Sequence, residues 1–254
     1  MFDVAQFSLK GKVAVITGGG RGIGQAIAFA FAKAGAKVVI TSRKAQDLEA
    51  TADEIKAFGG EAFPLPAHLG KADEIKRMID TVMKKFGRID ILVNNAGASP
   101  AMGTVLECDD RLWDKLMDIN LKGAYFVSQA AANVMVKQGG GKIINIASAS
   151  SFKPLVGMAA YSAAKAGVVM MTKTLALELA RYNVQANTLS PGYFITPLNK
   201  DFFDSESGKK MISIWPPRRP GNLDELRGII VYLASPSSSY TTGTEMIIDG
   251  GQWL

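Results

Sequence analysis

Short, unbroken runs of Val, Ile and Leu alternate along this chain with longer stretches whose apolar residues return every third or fourth position. The first pattern is that of strands and the second that of amphipathic helices. Strands are expected at residues 13–17, 37–41, 61–65, 90–93, 142–146, 184–189 and 245–248. Helices are expected at 22–34, 46–58, 71–86, 109–137, 160–181 and 224–234. The strand runs are continuously apolar, as in parallel sheets covered on both faces. Strict alternation of strand and helix requires right-handed crossovers over such a sheet. The expected fold is α/β, a single doubly wound parallel sheet flanked by helices on both faces. No repeat, low-complexity tract or linker interrupts residues 1–254, which read as one domain. One stretch, 196–222, follows neither pattern and mixes Pro197, Pro216, Pro217 and Pro220 with Phe202, Phe203, Ile214 and Trp215. An irregular segment that long in a compact domain is usually functional, and this one reads as a lid over a ligand site.

Composition narrows the picture. The chain has 254 residues, 48% hydrophobic and 20% charged, the balance of a globular protein. It holds one cysteine, Cys108, and one histidine, His68, so it has no internal disulfide and no His/Cys metal site is expected. Cys108 reads as a small filler near a helix start. The net charge of +6 is spread along the chain without a basic run. That argues against a nucleic-acid partner and suits a surface that tolerates an acidic cofactor or substrate. The first ten residues lack the apolar core of a secretory signal, and no run of 18 apolar residues would span a membrane. The expected compartment is the cytoplasm.

The chemistry begins where the first strand runs into Thr17-Gly18-Gly19-Gly20-Arg21-Gly22-Ile23-Gly24 and a helix follows at once. Glycines let a backbone turn sharply and approach a ligand without a Cβ in the way. The new helix points free N–H groups and its positive dipole end at a phosphate. Between a strand and a helix of the first βαβ unit, this reads as a dinucleotide-binding loop. Such folds usually place an acid after the second strand to hold the ribose 2′-hydroxyl. Here the residues are Ser42-Arg43-Lys44, and no acid appears before Asp47. A guanidinium pairs with a 2′-phosphate through a bidentate fork, and Ser42 adds a hydrogen bond. Arg21 stands within reach of the same group. The expected cofactor is NADP(H).

These residues and several others together resemble the short-chain dehydrogenase/reductase family over nearly the whole chain. The family's Thr-Gly-x-x-x-Gly-x-Gly is met by Thr17, Gly18, Gly22 and Gly24, and its Asn-Asn-Ala-Gly by Asn94-Asn95-Ala96-Gly97. Its helix asparagine matches Asn120 and its serine matches Ser148. Its Tyr-x-x-x-Lys is Tyr161 to Lys165, and its Pro-Gly is Pro191-Gly192, with Thr196 following. The resemblance implies a Rossmann-like sheet and a carbonyl–alcohol oxidoreductase with Asn120, Ser148, Tyr161 and Lys165 as its catalytic group. With the loop and strand-end residues above, the candidate cofactor-binding set is Gly18, Gly20, Arg21, Gly22, Ile23, Gly24, Ser42, Arg43, His68, Leu69, Asn95, Ala96, Gly97, Tyr161, Lys165, Pro191, Gly192, Phe194 and Thr196.

Tyr161 and Lys165 stand at i and i+4 and project from one helix face. A nearby ammonium favours the phenolate and makes the phenol a usable acid–base. By resemblance, Lys165 also holds the nicotinamide ribose, Ser148 orients the substrate oxygen, and Asn120 links Lys165 through water to solvent. The family often has an aspartate for the adenine where this chain has Ala67-His68-Leu69-Gly70. His68 either contacts adenine or is an exposed loop residue. Ala98 to Met102, Phe152, Tyr193, Phe194 and the lid are expected to line the substrate pocket. They are mostly apolar, and Lys153, Lys200, Lys209 and Lys210 are the charged candidates near it. The main reading is a carbonyl or 3-oxoacyl thioester reductase. The alternatives are a sugar-acid or polyol dehydrogenase and a non-catalytic nucleotide sensor. Helices 109–137 and 160–181 are apolar beyond one face, and the tail ends in Trp253-Leu254. Both suit subunit contacts, and the resemblance implies a homotetramer.

Overall fold

The structure, a computed structural model, describes residues 3–98 and 103–254. Its sheet has seven strands: β1 (Val13–Thr17), β2 (Lys37–Thr41), β3 (Glu61–Pro64), β4 (Ile91–Asn94), β5 (Gly141–Ile146), β6 (Val184–Pro191) and β7 (Glu245–Ile248). They lie in the order β3-β2-β1-β4-β5-β6-β7, every neighbouring pair parallel. The helices are α1 (Gly22–Lys33), α2 (Ala45–Ala57), α3 (Ala72–Phe86), α4 (Asp110–Met117), α5 (Gly123–Gln138), α6 (Ala159–Leu179), α7 (Lys200–Asp204), α8 (Glu206–Ser213) and α9 (Arg227–Ala234).

The strand pleat sends successive residues to opposite faces, and here both faces are covered. Ala14 and Ile16 pack with Phe31 of α1, Leu48 of α2 and Ile230 of α9. Val13 and Val15 pack with Met78 of α3, Val127 of α5 and Leu175 of α6. This two-sided burial is why β1 reads as an unbroken apolar run. Each of the Val, Leu, Ile, Phe and Met side chains among these contributes about 1.5–3 kcal/mol when it leaves water. Pro64 ends β3, an edge strand, where a missing N–H breaks no ladder. The chain runs outward from β1 to β2 and β3, then returns to place β4 on the other flank of β1. The crevice at the carboxyl ends of β1 and β4 is therefore the point where strand order reverses, the usual ligand site of such sheets.

At the opposite end Asp90 fixes the start of both strands. Its carboxylate accepts from Val13 N at 2.9 Å and from Arg88 Nε at 2.8 Å. Lys12 stands 3.6 Å away.

Two expected stretches fold differently. The helical region 109–137 is interrupted by a π-helical turn, Asp118–Lys122, between α4 and α5. Gly123 follows it with the Leu69 carbonyl so near that a Cβ would lie 3.2 Å from it. The helix widens there, as π turns often do beside functional residues. The stretch 196–222, expected to be irregular, contains α7 and α8. Ser205 sets the start of α8 by accepting from Gly208 N at 3.2 Å, a local cap that outweighs the surrounding prolines. Among the described residues no helix is long and apolar enough to cross a membrane, and no cluster of three or more His, Cys, Asp or Glu is placed to hold a metal.

Candidate active site

The glycine loop closes against the end of β4. Gly18 has φ +66°, a conformation that favours glycine, and its N–H donates to Thr41 O at 2.7 Å. A Cβ on Gly18 would lie 2.8 Å from the Asn95 amide nitrogen, and one on Gly24 would run into the Gly18 carbonyl and the Asn95 amide. Thr17 Oγ1 accepts from Asn95 N and Ala96 N, both at 3.0 Å. Asn95 Nδ2 returns bonds to Thr17 O at 3.0 Å and Gly18 O at 3.2 Å. The Asn95 side chain is thus committed to the loop's own backbone. Thr51 of α2 braces the loop from the other side through Gly20 O at 3.2 Å. The loop opens onto the start of α1, and Gly22 there has φ +56°.

Past β2, Ser42 Oγ accepts from Lys44 N at 3.3 Å, shaping the turn that carries Arg43. Arg43 and Arg21 are both exposed, and neither is ion-paired among the described residues. His68 turns onto its own loop, its Nδ1 accepting from Gly70 N at 3.1 Å, and its N–H donates to Glu74 Oε2 at 2.7 Å. Leu69 packs beside Gly123. Thr196 comes beside the loop, its Cγ2 3.7 Å from where a Gly22 Cβ would stand.

Ser148, Tyr161 and Lys165 come together past β5 and at the start of α6. Ser148 caps the short 3-10 turn Ala149–Ser151, accepting from Ser150 N at 3.2 Å. Ser148 and Tyr161 line one cavity of about 170 Å³ with Ala149, Leu155, Met158, Tyr193 and Trp253, and with Pro191 and Gly192 at the end of β6. Burial pushes the Tyr161 phenol above its ordinary range, the Ser148 hydroxyl pulls it down as a hydrogen-bond partner, and Tyr193 adds to the rise. Of the neighbouring serines, Ser151 turns away to Ser148 O at 2.6 Å and Glu245 Oε1 at 2.8 Å.

Lys165 is buried one helical turn beyond Tyr161, with Nζ 5.7 Å from the centre of its ring. Nζ donates to Ile146 O at 2.9 Å, and burial lowers its pKa to about 8. Asn120 lies buried in the π turn, its Nδ2 donating to Leu116 O at 3.0 Å and its Oδ1 accepting from Ala98 N at 3.2 Å. Gly97 sits between them, so that a Cβ there would stand 2.8 Å from Asn120 Oδ1 and 3.7 Å from Lys165 Nζ.

Several expected cavity residues stand elsewhere. The Phe194 ring is buried in the core and packed so tightly on Gly221 that a Cβ there would lie 2.5 Å from it, so any part it plays in the site is through its backbone. Phe152 is exposed and outside the cavity wall. The expected wall at 98–102 lies mostly outside the described residues, since 99–102 are not among them. None of Lys153, Lys200, Lys209 and Lys210 reaches the cavity lining. Trp253 does reach it, although its place at the end of an apolar tail suggested a subunit contact. Leu155 and Met158 were not singled out from sequence either. They lie in a short irregular stretch where no periodicity assigns a facing.

A glycine-cradled turn at the strand-order switch, beside a phenol, a hydroxyl and a buried ammonium, is the arrangement of a nucleotide-dependent oxidoreductase. A family model described as short chain dehydrogenase matches residues 12–207. The chain belongs to the short-chain dehydrogenase/reductase family, oxidoreductases that act on CH–OH and C=O groups with a nicotinamide cofactor. It is 39% identical to the 2-dehydro-3-deoxy-D-gluconate 5-dehydrogenase of Escherichia coli (strain K12), over 99% of this chain and 98% of that one. It is also 39% identical to a 3-oxoacyl-[acyl-carrier-protein] reductase of Synechocystis sp., over 96% of this chain and 98% of that one. Among solved structures, a gluconate 5-dehydrogenase from Burkholderia cenocepacia J2315 in complex with NADP and tartrate superposes with a TM-score of 0.92 at 37% identity, covering 98% of this chain and 97% of that one. The space a Gly18 or Gly24 side chain would fill is already closed by backbone and the Asn95 amide, so the turn keeps this shape only with glycine at both positions.

Proposed function

We propose that this protein is an NADP(H)-dependent oxidoreductase that interconverts a carbonyl and a secondary alcohol. In this reading its substrate is an uncharged carbonyl compound or a 3-oxoacyl thioester. The observation that carries the substrate reading is the cavity beside Tyr161, walled by Leu155, Met158, Tyr193 and Trp253 with no charged side chain in its lining among the described residues. Apolar walls with a few fixed polar groups suit a neutral substrate. The kinship with sugar-acid dehydrogenases favours the second reading, a sugar-acid or polyol dehydrogenase. Initial rates with NADPH against a panel of ketones, 3-oxoacyl thioesters and keto-sugar acids separate the two. The first reading expects the acids to be the poorest substrates, and a clear preference for them overturns it.

In this reading the Gly18–Gly24 loop and the start of α1 hold the cofactor's phosphates, with Ser42, Arg43 and Arg21 around the ribose 2′-phosphate. Pro191, Gly192 and Thr196 border the nicotinamide side. When bound, the nicotinamide supplies hydride in reduction and takes it up in oxidation. Ser148 donates to the substrate oxygen, a preorganised donor where charge develops. Tyr161 gives that oxygen its proton in reduction and takes it back in oxidation. Lys165 holds the ribose hydroxyls and keeps a positive charge near the phenol. Asn120 supports Lys165 across Gly97.

The unpaired Arg43 and Arg21 predict that NADPH binds at least ~10-fold more tightly than NADH, a difference of about 1.4 kcal/mol. Arg43→Asp shifts the preference toward NADH. Fluorescence titration checks both, and equal affinities in the wild type contradict the assignment.

Tyr161→Phe removes nearly all turnover and leaves NADPH affinity nearly unchanged. Burial holds the phenol's proton on at neutral pH. The sign follows: the reductive rate stays level through neutral pH and falls only in the alkaline range, while the oxidative rate climbs with pH. Initial rates in both directions from about pH 6 to about pH 10 show this. Retention of most of the turnover by Tyr161→Phe defeats the mechanism.

We further propose that the protein is a homotetramer. Tyr125 and Phe126 of α5 and Met170 and Leu177 of α6 are exposed apolar side chains on neighbouring helices, a surface that suits a partner. Light scattering at micromolar concentration is expected to give four times the 27.1 kDa chain mass. A single-chain mass rules the assembly out.

A further inference from the structure

Trp253, next to last in the chain, lines the same cavity as Ser148 and Tyr161. Its path there is built in. After β7, Gly250 and Gly251 have φ +62° and +75°, so consecutive left-handed residues turn the tail back over the end of the sheet. Asp249 Oδ1 holds that turn by accepting from Gly251 N at 2.8 Å. Gln252 Oε1 then accepts from Tyr193 N at 2.8 Å. The contact needs Gly192, where a Cβ would stand 2.5 Å from the same oxygen.

The wall is stiff. Tyr193 stacks on Trp215 with ring centres 5.3 Å apart at 17°, and Trp253 lies 6.0 Å from Tyr193 at 41°. Phe203 closes edge-on to Tyr193 at 5.9 Å. Each such aromatic pair contributes about 0.5–1.5 kcal/mol beyond the area it buries. The Trp253 indole N–H is buried and has no acceptor among the described residues, so packing alone holds the ring. At about 170 Å³ the cavity is small against the roughly 300–1,000 Å³ of common ligand pockets.

We propose that Gln252 and Trp253 form the specificity wall of the substrate cavity, Gln252 by fixing Tyr193 and Trp253 by limiting the enzyme to carbonyl compounds with a small, uncharged group on that side. The proposal rests on the carbonyl–alcohol reading above and names its substrate class. Trp253→Ala opens the wall and Trp253→Phe opens it partly. The phenylalanine variant removes the unpaired N–H and keeps the packing, so it folds even where the alanine variant does not.

The test measures a series of methyl ketones of rising chain length, with NADPH, on wild type and both variants. A second measurement follows binding of the same ketones to the enzyme–NADP⁺ complex by ligand-observed NMR, which requires no turnover. The wild type is expected to lose kcat/KM and binding beyond a short chain. Both variants move that limit outward, with a gain of at least ~10-fold for the longer ketones in the alanine variant and an unchanged NADPH dissociation constant. A uniform loss over all chain lengths, or no limit in the wild type, overturns the wall. A limit that moves in binding without turnover of any ketone leaves the wall standing and overturns the activity reading. Turnover with a limit that does not move does the reverse.

Discussion

The seam between the carboxyl ends of β1 and β4 is the contact on which the rest of the site depends. Two strands distant in sequence are joined there by the Thr17 hydroxyl, which accepts from the Asn95 and Ala96 N–H groups, and by the Asn95 amide, which donates to the Thr17 and Gly18 carbonyls. Each bond satisfies a backbone group that the end of a strand would otherwise leave unpaired, at a cost of about 1–3 kcal/mol when such a group is buried. The seam also dictates the glycines. Gly18 and Gly24 have no room for a side chain because the Asn95 amide occupies it. The glycine-rich turn is therefore shaped by contacts within the protein.

A second network carries this order to Tyr161 and Lys165. Asn94, next to the seam, donates to Ser128 of α5 and to Asn145 of β5, both at 2.8 Å. Asn145 donates to Thr172 of α6 at 2.7 Å. These buried bonds lock α6 onto the sheet, and α6 bears Tyr161 and Lys165 in its first turns. Burial then sets the electrostatics. The Lys165 ammonium has a carbonyl partner and lies in a desolvated place that brings its pKa to about 8. The phenol beside it is pushed the other way. Desolvation disfavours the charged form of either group, which leaves both poised to respond to a charge placed beside them.

The sheet was legible in the sequence because both faces are covered, so each strand announced itself as a Val- and Ile-rich run. The loop was legible because its glycines are required by contacts made within the fold. The π turn around Asn120 was not. It stands where Gly123 comes close to Leu69, and no local pattern encodes a contact over that separation. The helices α7 and α8 were hidden by Pro197, Pro216, Pro217 and Pro220, all of which stand outside them and so do not prevent them. The place of Trp253 in the cavity wall was not legible for a related reason. An apolar residue in the tail shows only that something covers it, and the turn at Gly250 and Gly251 is what brings its ring to the cavity. The Phe194 ring was expected at the pocket because it follows Pro191-Gly192, and its burial against Gly221 depends on a loop that sequence spacing does not position.

Preorganisation of the proposed nucleotide site by the β1–β4 seam is read from the NADPH dissociation constant of Asn95→Ala, measured on protein shown by circular dichroism to be folded. Removing the amide frees the Thr17 and Gly18 carbonyls and loosens the loop without touching a residue assigned to the 2′-phosphate or the acid–base group. The expected result is a dissociation constant raised by about 10-fold or more, with the preference for NADPH over NADH retained. An unchanged dissociation constant removes the seam from any role in shaping the site.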